Sequence, residues 1–156
     1  MALCFWGGIR ASMAYLDDGE ELEDTMNGSE IRFDSKRLIF TARQMKQATD
    51  HLAEGLPENL WPWLKMIDPK DWAMTRRQFY YRRHKFEERA KMKIPHNSPR
   101  KSFGTYMSTL LGDNKRVAQM MSDRTESIFL KHYRADDKSI EEAEAYVAIL
   151  PRSKRS

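Results

Sequence analysis

Arginine and lysine residues crowd into one stretch of the chain, residues 69–101. This stretch holds eleven basic and three acidic side chains, a local net charge of +8. Positive charge at that density is suited to a polyanion, and DNA-backbone contact is the favoured interpretation over a solvated surface. The basic side chains that we interpret as candidate phosphate contacts are Arg76, Arg77, Arg82, Arg83, Lys85 and Lys101.

Cysteine and histidine residues offer little chemistry by comparison. Cys4 is the only cysteine, so neither an intramolecular disulfide nor a cysteine-based zinc site can form. The four histidines are too scattered to predict a cluster, and we expect no metal and no cofactor. The apolar start at residues 1–8 is too short for a signal peptide or a membrane span, so we expect a cytoplasmic protein without a membrane partner.

Length and composition favour a single modest domain. The chain has 156 residues, of which 40% are apolar and 32% charged, which excludes an elaborate multidomain enzyme. Its formal net charge of +4 is unevenly spread, because residues 1–35 carry two basic and eight acidic side chains. The acidic run within that stretch is typical of a solvated loop or helix surface.

The elements that must position the basic side chains are mainly helical. A strand pair is expected within 31–40, with a further hairpin arm in 43–52. Capping residues and glycine stops predict helices over 99–111, 114–121 and 125–133, and a last helix from Ser139. The expected fold class is therefore α+β, mainly helical, with a small antiparallel sheet near the amino terminus.

The basic stretch itself predicts a long helix over 69–93. Asp68 would cap it and Pro69 would take its first position, where the missing N–H is harmless. Trp72, Phe79 and Phe86 recur at every seventh residue, which favours a core face of this helix over a base-stacking platform.

Four segments, in order, resemble the catalytic domain of tyrosine recombinases, the phage-type integrases. The segment 5–12, Phe-Trp-Gly-Gly-Ile-Arg-Ala-Ser, is similar to the family's apolar–Gly–hydrophobic–Arg segment. The strand pair is followed by Lys46, and 97–106 is similar to the His-x-x-Arg-His box. The segment 128–134 resembles the nucleophile segment, and 142–151 resembles the helix that closes many of these chains. The resemblance covers nearly the whole chain.

The resemblance implies a set of residues that cleave a phosphodiester without a metal. Tyr133 would attack the scissile phosphate and form a 3′-phosphotyrosyl bond, which conserves energy for rejoining. Arg10 and Arg100 would clamp the non-bridging oxygens, a task suited to a planar, permanently charged fork. Lys46 would protonate the leaving 5′ oxygen, and Asn97 stands where the family usually has histidine.

Two positions depart from the family's pattern in ways that affect this chemistry. Asp123 stands where the family has the histidine of a Gly-His pair, and its negative charge would repel a phosphate by about a kcal/mol or more. Met13 stands where a glutamate commonly supports the first arginine, so Arg10 would lose a partner that orients it. Lys101 replaces the histidine that commonly follows the second arginine.

Three functional hypotheses follow for a domain over 1–151 with a basic tail at 152–156. The first is a recombinase catalytic domain without the amino-terminal DNA-clamping domain, which binds double-stranded DNA and contacts other protomers through its carboxy-terminal helix. The second is a catalytically inactive DNA-binding remnant of the same fold. The third is a basic helical module that binds RNA or another protein.

Overall fold

A computed structural model describes residues 1–16, 19, 21, 26–45, 49–68, 71–123, 125–133 and 138–152. Within these ranges the fold is α+β and about half helical. The predicted fold class is confirmed at this level. Lys46 and most of the predicted basic tail lie outside the described residues.

A three-stranded antiparallel sheet contains the predicted strand pair, but its third strand overlaps the predicted hairpin arm at 43–52 only at the end, because Ala42–Gln44 form a 3₁₀ turn. Its strands are β2 (Ile31–Arg32), β3 (Arg37–Phe40) and β4 (His51–Ala53), in the spatial order β2-β3-β4. Leu38 lies opposite both Ile31 and Ala53. The alternation of β3 turns Leu38 and Phe40 into the core, where both are fully buried.

A second, two-stranded parallel pair was not predicted from the sequence. It joins β1 (Tyr15–Leu16) to β5 (Met74–Thr75). Each strand has only two residues, too few for an alternation pattern to be read from the sequence. The pair brings the chain that follows Arg10 against the start of the basic helix.

The basic helix α3 spans Arg76–Ala90 and begins later than predicted. Thr75 caps it: its hydroxyl accepts from the Gln78 amide at 3.2 Å, and the Gln78 side chain accepts from the Thr75 amide at 2.9 Å. The predicted start at Asp68–Pro69 is wrong, because Ala73 has a φ of 58°, outside right-handed helical geometry, and β5 comes before the cap.

The predicted core face of this helix is correct only at Phe79. That side chain is buried, whereas Phe86 is half exposed. Trp72 packs against the core but precedes the helix, so the spacing of seven does not describe one helical face.

The remaining helices are α1 (Ala2–Trp6), α2 (Leu60–Lys65), α4 (Ser98–Leu111), α5 (Asn114–Met120), α6 (Glu126–His132) and α7 (Ile140–Val147). The last four confirm the predicted helices, to within about a residue at each end of α4, α5 and α6 and at the start of α7, because their caps and stops are local signals. α7 ends at Val147, before Leu150, which was expected on its apolar face. α4 is central and packs against α1, α5 and α7. Among the described residues, no helix has the length and apolar character needed to cross a bilayer.

Gly104 lets α6 approach the middle of α4. A Cβ atom built on Gly104 would lie 2.9 Å from the Tyr133 Cβ and 3.1 Å from the Phe129 ring. Because Phe129 is fully buried, these neighbours have little room to move. Gly104 therefore fixes the position of Tyr133 against α4.

The substitution Gly104→Ala tests this close approach. Alanine normally stabilises a helix interior by about 0.5–1 kcal/mol over glycine. Here we expect a net loss of about 1–2 kcal/mol in the free energy of unfolding, because overpacking outweighs that gain. Urea denaturation measures the change, with Lys101→Ala on the exposed side of α4 as the control. A Gly104→Ala protein as stable as the control would contradict the packing account.

Candidate functional site

Four of the five predicted catalytic side chains line one pocket of about 240 Å³. Arg10 comes from the segment after α1, Asn97 and Arg100 from the start of α4, and Tyr133 from the end of α6. These residues are widely separated in the sequence, so only the tertiary fold brings them together. The fifth, Lys46, lies outside the described residues.

Arg100 is buried and connects three parts of the fold. Its guanidinium donates from Nη1 to the Gly8 carbonyl oxygen and from Nη2 to the Met121 carbonyl oxygen. Gly8 has a φ of 65°, and a Cβ there would lie 2.7 Å from the Phe103 ring, so glycine suits this turn in both respects. The arginine thereby ties the end of α1 and the end of α5 to the first turn of α4.

Both arginines converge on one carboxylate oxygen. Nη2 of Arg10 and Nη2 of Arg100 each lie 3.0 Å from Oδ1 of Asp123. The side chains of Asp123 and Arg100 are only 1% and 3% exposed, whereas that of Arg10 is 28% exposed. We call Arg10 and Arg100 the arginine clamp; in this structure its anion is supplied by the protein itself.

The backbone after α5 directs Asp123 toward the clamp. Ser122 has a φ of 56°, in the left-handed region, and the Asp123 amide donates to the Ala118 carbonyl at 2.9 Å. A serine is an uncommon residue for that conformation, since the left-handed region costs a residue with a Cβ about 1 kcal/mol.

Two buried polar atoms of the ion pair have no hydrogen-bond partner within the described part of the chain. They are Nε of Arg100 and Oδ2 of Asp123. A buried ion pair is stabilising only when its charges are matched and its polar atoms are satisfied. The buried ion pair between Arg100 and Asp123 is therefore only partly satisfied, and each of these two charges depends strongly on the other.

Tyr133 stands beside the clamp. Its ring centroid lies 5.1 Å from Cζ of Arg100, and its carbonyl oxygen accepts from the Thr105 hydroxyl at 2.9 Å. The ring is half-buried and shares the pocket with Arg10. Phosphoryl transfer to a tyrosine requires a phenol and positively charged donors around one phosphate. In this structure the Asp123 carboxylate forms ion pairs with the guanidinium groups of both Arg10 and Arg100.

Met13 belongs to the apolar core and is 6% exposed. It follows Arg10 in a single 3₁₀ turn, where its amide donates to the Arg10 carbonyl at 3.0 Å. A thioether cannot accept a charge-assisted hydrogen bond as a carboxylate does. The carboxylate partner of Arg10 is instead Asp123, which reaches the guanidinium from the other end of the chain.

The predicted phosphate contacts divide into two groups. The side chains of the first group interact with other side chains of the protein. Arg82 pairs with Asp71 at 2.7 Å, Arg83 with Glu87 at 3.0 Å, and Lys85 with Glu88 at 3.1 Å. The Arg76 guanidinium lies 5.9 Å from the Tyr80 ring centroid.

Arg77 and Lys101 form the second group. Both side chains are exposed, and neither side chain has a hydrogen-bond or ion-pair partner among the described residues. Internal pairing reduces the charge that the first group can offer to a polyanion, so Arg77 and Lys101 are the stronger candidates for phosphate contact.

His51 is a neighbour of this site that the sequence did not single out. Its Nε2 lies 3.2 Å from the Met120 carbonyl oxygen, and its ring stacks on Phe40. Burial lowers the pKa of His51, so the neutral ring donates to that carbonyl and holds the end of α5 against the sheet. Its isolated position in the sequence carries no signal of this role.

Neither a metal site nor a reactive thiol is evident in the described residues. No group of three or more histidine, cysteine or acidic side chains there is placed to hold a metal ion. Cys4 lines the same pocket, but burial raises the pKa of its thiol, which keeps it protonated and weakly nucleophilic.

Comparison with known proteins adds no relative. No family model, curated protein or solved structure matches this chain.

The substitution Asp123→Asn tests how far the clamp depends on its internal anion. The variant leaves the charge of buried Arg100 unmatched, so we expect a loss of about 3 kcal/mol in the free energy of unfolding. Glu58→Gln is the control: it removes the same charge from an exposed pair with Lys36, which is worth less than about 1 kcal/mol. Equal losses in urea denaturation would show that Asp123 does not anchor the clamp.

Proposed function

We propose that the protein binds double-stranded DNA as a tyrosine-recombinase-like domain whose arginine clamp is occupied by Asp123, so that it does not cleave the strand. The observation that carries this proposal is the meeting of Arg10 and Arg100 on one buried Asp123 oxygen beside Tyr133. The two arginines and the phenol fit the resemblance to recombinases. The carboxylate between them accounts for the loss of cleavage.

The negative charge of the Asp123 carboxylate opposes phosphate binding in the cleavage geometry. A phosphate within about 4 Å of the Asp123 carboxylate would be repelled by about 4 kcal/mol at the effective dielectric typical of protein surfaces. The same carboxylate uses Nη2 of each arginine. A phosphate that used the same two nitrogens would have to displace Asp123 from buried Arg100, which would leave the aspartate charge unmatched.

DNA binding itself does not need the clamp. Exposed cations outside it, above all Arg77 and Lys101, can contact backbone phosphates without breaking an internal ion pair. Such contacts supply sequence-independent affinity that falls steeply with salt. The proposed function is therefore duplex binding without strand cleavage.

Salt-dependent duplex binding tests the first half of the proposal. We expect the double variant Arg77→Gln with Lys101→Gln to reduce the slope of log K against log salt by about 2, since about one counterion is released per phosphate contact. The measurement is fluorescence anisotropy with a labelled duplex.

The matched control for that experiment removes the same charge from the β2–β3 hairpin. Lys36→Gln with Arg37→Gln alters two cations that already pair with Glu58 and Glu54, and its slope should remain that of the wild type. Equal reductions in both double variants, or tighter binding to single-stranded RNA than to the duplex, would contradict the proposal.

A nicked suicide substrate tests the second half. Under conditions in which the duplex is bound, we expect no covalent protein–DNA adduct from the wild type, and the same baseline from Tyr133→Phe. The reason is that the clamp cannot stabilise the charge that develops on the phosphate while it holds Asp123.

The second candidate function is active strand cleavage and rejoining. It is favoured by the placement of Arg10, Asn97, Arg100 and Tyr133 around one pocket. An adduct that forms with the wild type and disappears in Tyr133→Phe would establish this candidate and overturn the inactive one.

A further inference from the structure

The loop between α3 and α4, residues 91–97, forms one wall of the pocket that holds the clamp. Ile94, His96 and Asn97 line that pocket together with Arg10 and Arg100. The loop begins at Lys91 with a φ of 51° and ends at Asn97 with a φ of 59°, so both ends are in the left-handed region. Neither end is a glycine, and such a backbone needs other contacts to hold it.

Two side chains of α3 capture the middle of this loop. Glu87 Oε1 accepts from the Ile94 amide at 3.0 Å and from Nε of Arg83 at 3.0 Å. Nη2 of Arg83 donates in turn to the Ile94 carbonyl oxygen. Both backbone groups of one loop residue are thus bound by a pair of side chains one helical turn apart, which we call the Arg83–Glu87 clasp.

The clasp uses the charges of both side chains internally. Arg83 and Glu87 are 23% and 20% exposed, less than the other ion pairs on α3. Hydrogen bonds from the Ile94 amide and then from Arg83 lower the pKa of Glu87, so its carboxylate is ionised at neutral pH. An arginine held in this way is poorly placed to contact a DNA phosphate.

We propose that Arg83 and Glu87 are positioning residues that hold the 91–97 loop in its DNA-binding conformation, and that Arg83 is not itself a phosphate contact. The DNA part of this inference depends on the proposed function. The geometry assigns Arg83 a different role from Arg77, although both lie on the same basic helix. The loop positions the start of α4, which carries Lys101.

Glu88 provides a matched control for Glu87. It is the next residue of α3, and its carboxylate bonds to Lys85 at 3.1 Å and lies 3.3 Å from Nε2 of His84. Among the described residues, this carboxylate makes no hydrogen bond or ion pair with the loop. Glu87→Gln and Glu88→Gln each remove one negative charge from the same basic helix. If charge alone determines binding, both variants should bind the duplex equally well and slightly more tightly than the wild type.

The clasp predicts opposite results for the two variants. Glu87→Gln keeps an acceptor oxygen but loses the charge assistance of the bonds from Ile94 and Arg83, so it should weaken duplex binding by about fivefold, whereas Glu88→Gln should not weaken it. Arg83→Lys keeps the charge but loses the fork that joins Glu87 to Ile94, so it should also weaken binding. Equal tightening by both glutamine variants, with wild-type affinity for Arg83→Lys, would overturn the proposal.

Trypsin cleavage of the free protein gives a readout that does not require DNA. Lys91 and Lys93 lie in the loop, and a released loop is cleaved faster because proteolysis follows local opening. We expect faster cleavage there in Glu87→Gln and Arg83→Lys than in Glu88→Gln or the wild type. Unchanged cleavage rates would overturn the clasp.

The two readouts separate failure of the clasp from failure of the proposed function. If the wild type does not bind duplex DNA, the proposed function fails, and the cleavage rates alone then support or overturn the clasp. If the duplex is bound and the cleavage rates are unchanged, the clasp fails while DNA binding stands.

Discussion

The carboxylate of Asp123 is the charge on which the candidate site depends. It lies 3.0 Å from a guanidinium nitrogen of Arg10 and 3.0 Å from one of Arg100. Arg100 is buried and also binds the carbonyl oxygens of Gly8 and Met121. A buried arginine requires an anion, because the penalty for desolvating an unpaired charge is several kcal/mol. The Arg100 side chain thus joins the amino-terminal turn, the central helix α4 and the end of α5.

Because of the same interaction, we propose that the site resembles a phosphate clamp without acting as one. On the proposed function, the groups that would stabilise a scissile phosphate line one pocket with Tyr133, but the Asp123 carboxylate offsets part of their positive charge from within the protein. On this proposal, the carboxylate that stabilises the fold opposes the reaction. We propose that DNA binding depends instead on cations outside the clamp, and that the Arg83–Glu87 clasp positions the 91–97 loop.

Local sequence signals predicted the elements well, and tertiary pairing was harder to predict. The caps at Thr125 and Ser139 and the stop at Gly112 are contacts within a few residues, so the ends of α4, α6 and α7 could be predicted. Pro69 was misleading because the capping box at Thr75 determines where α3 begins.

The sequence indicated that Asp123 would repel a phosphate. That it binds both arginines depends on the turn at Ser122 and on three distant segments meeting. Arg83 was interpreted from the sequence as a phosphate contact, and its bonds to Glu87 and to the Ile94 carbonyl depend on where the 91–97 loop folds.

The account is tested most directly by a crystal structure of the protein bound to a short DNA duplex. It predicts that Arg10 and Arg100 both remain within hydrogen-bond distance of Asp123, while DNA phosphates contact exposed cations such as Arg77 and Lys101. A complex in which either guanidinium has turned from Asp123 to a backbone phosphate beside Tyr133 would contradict it.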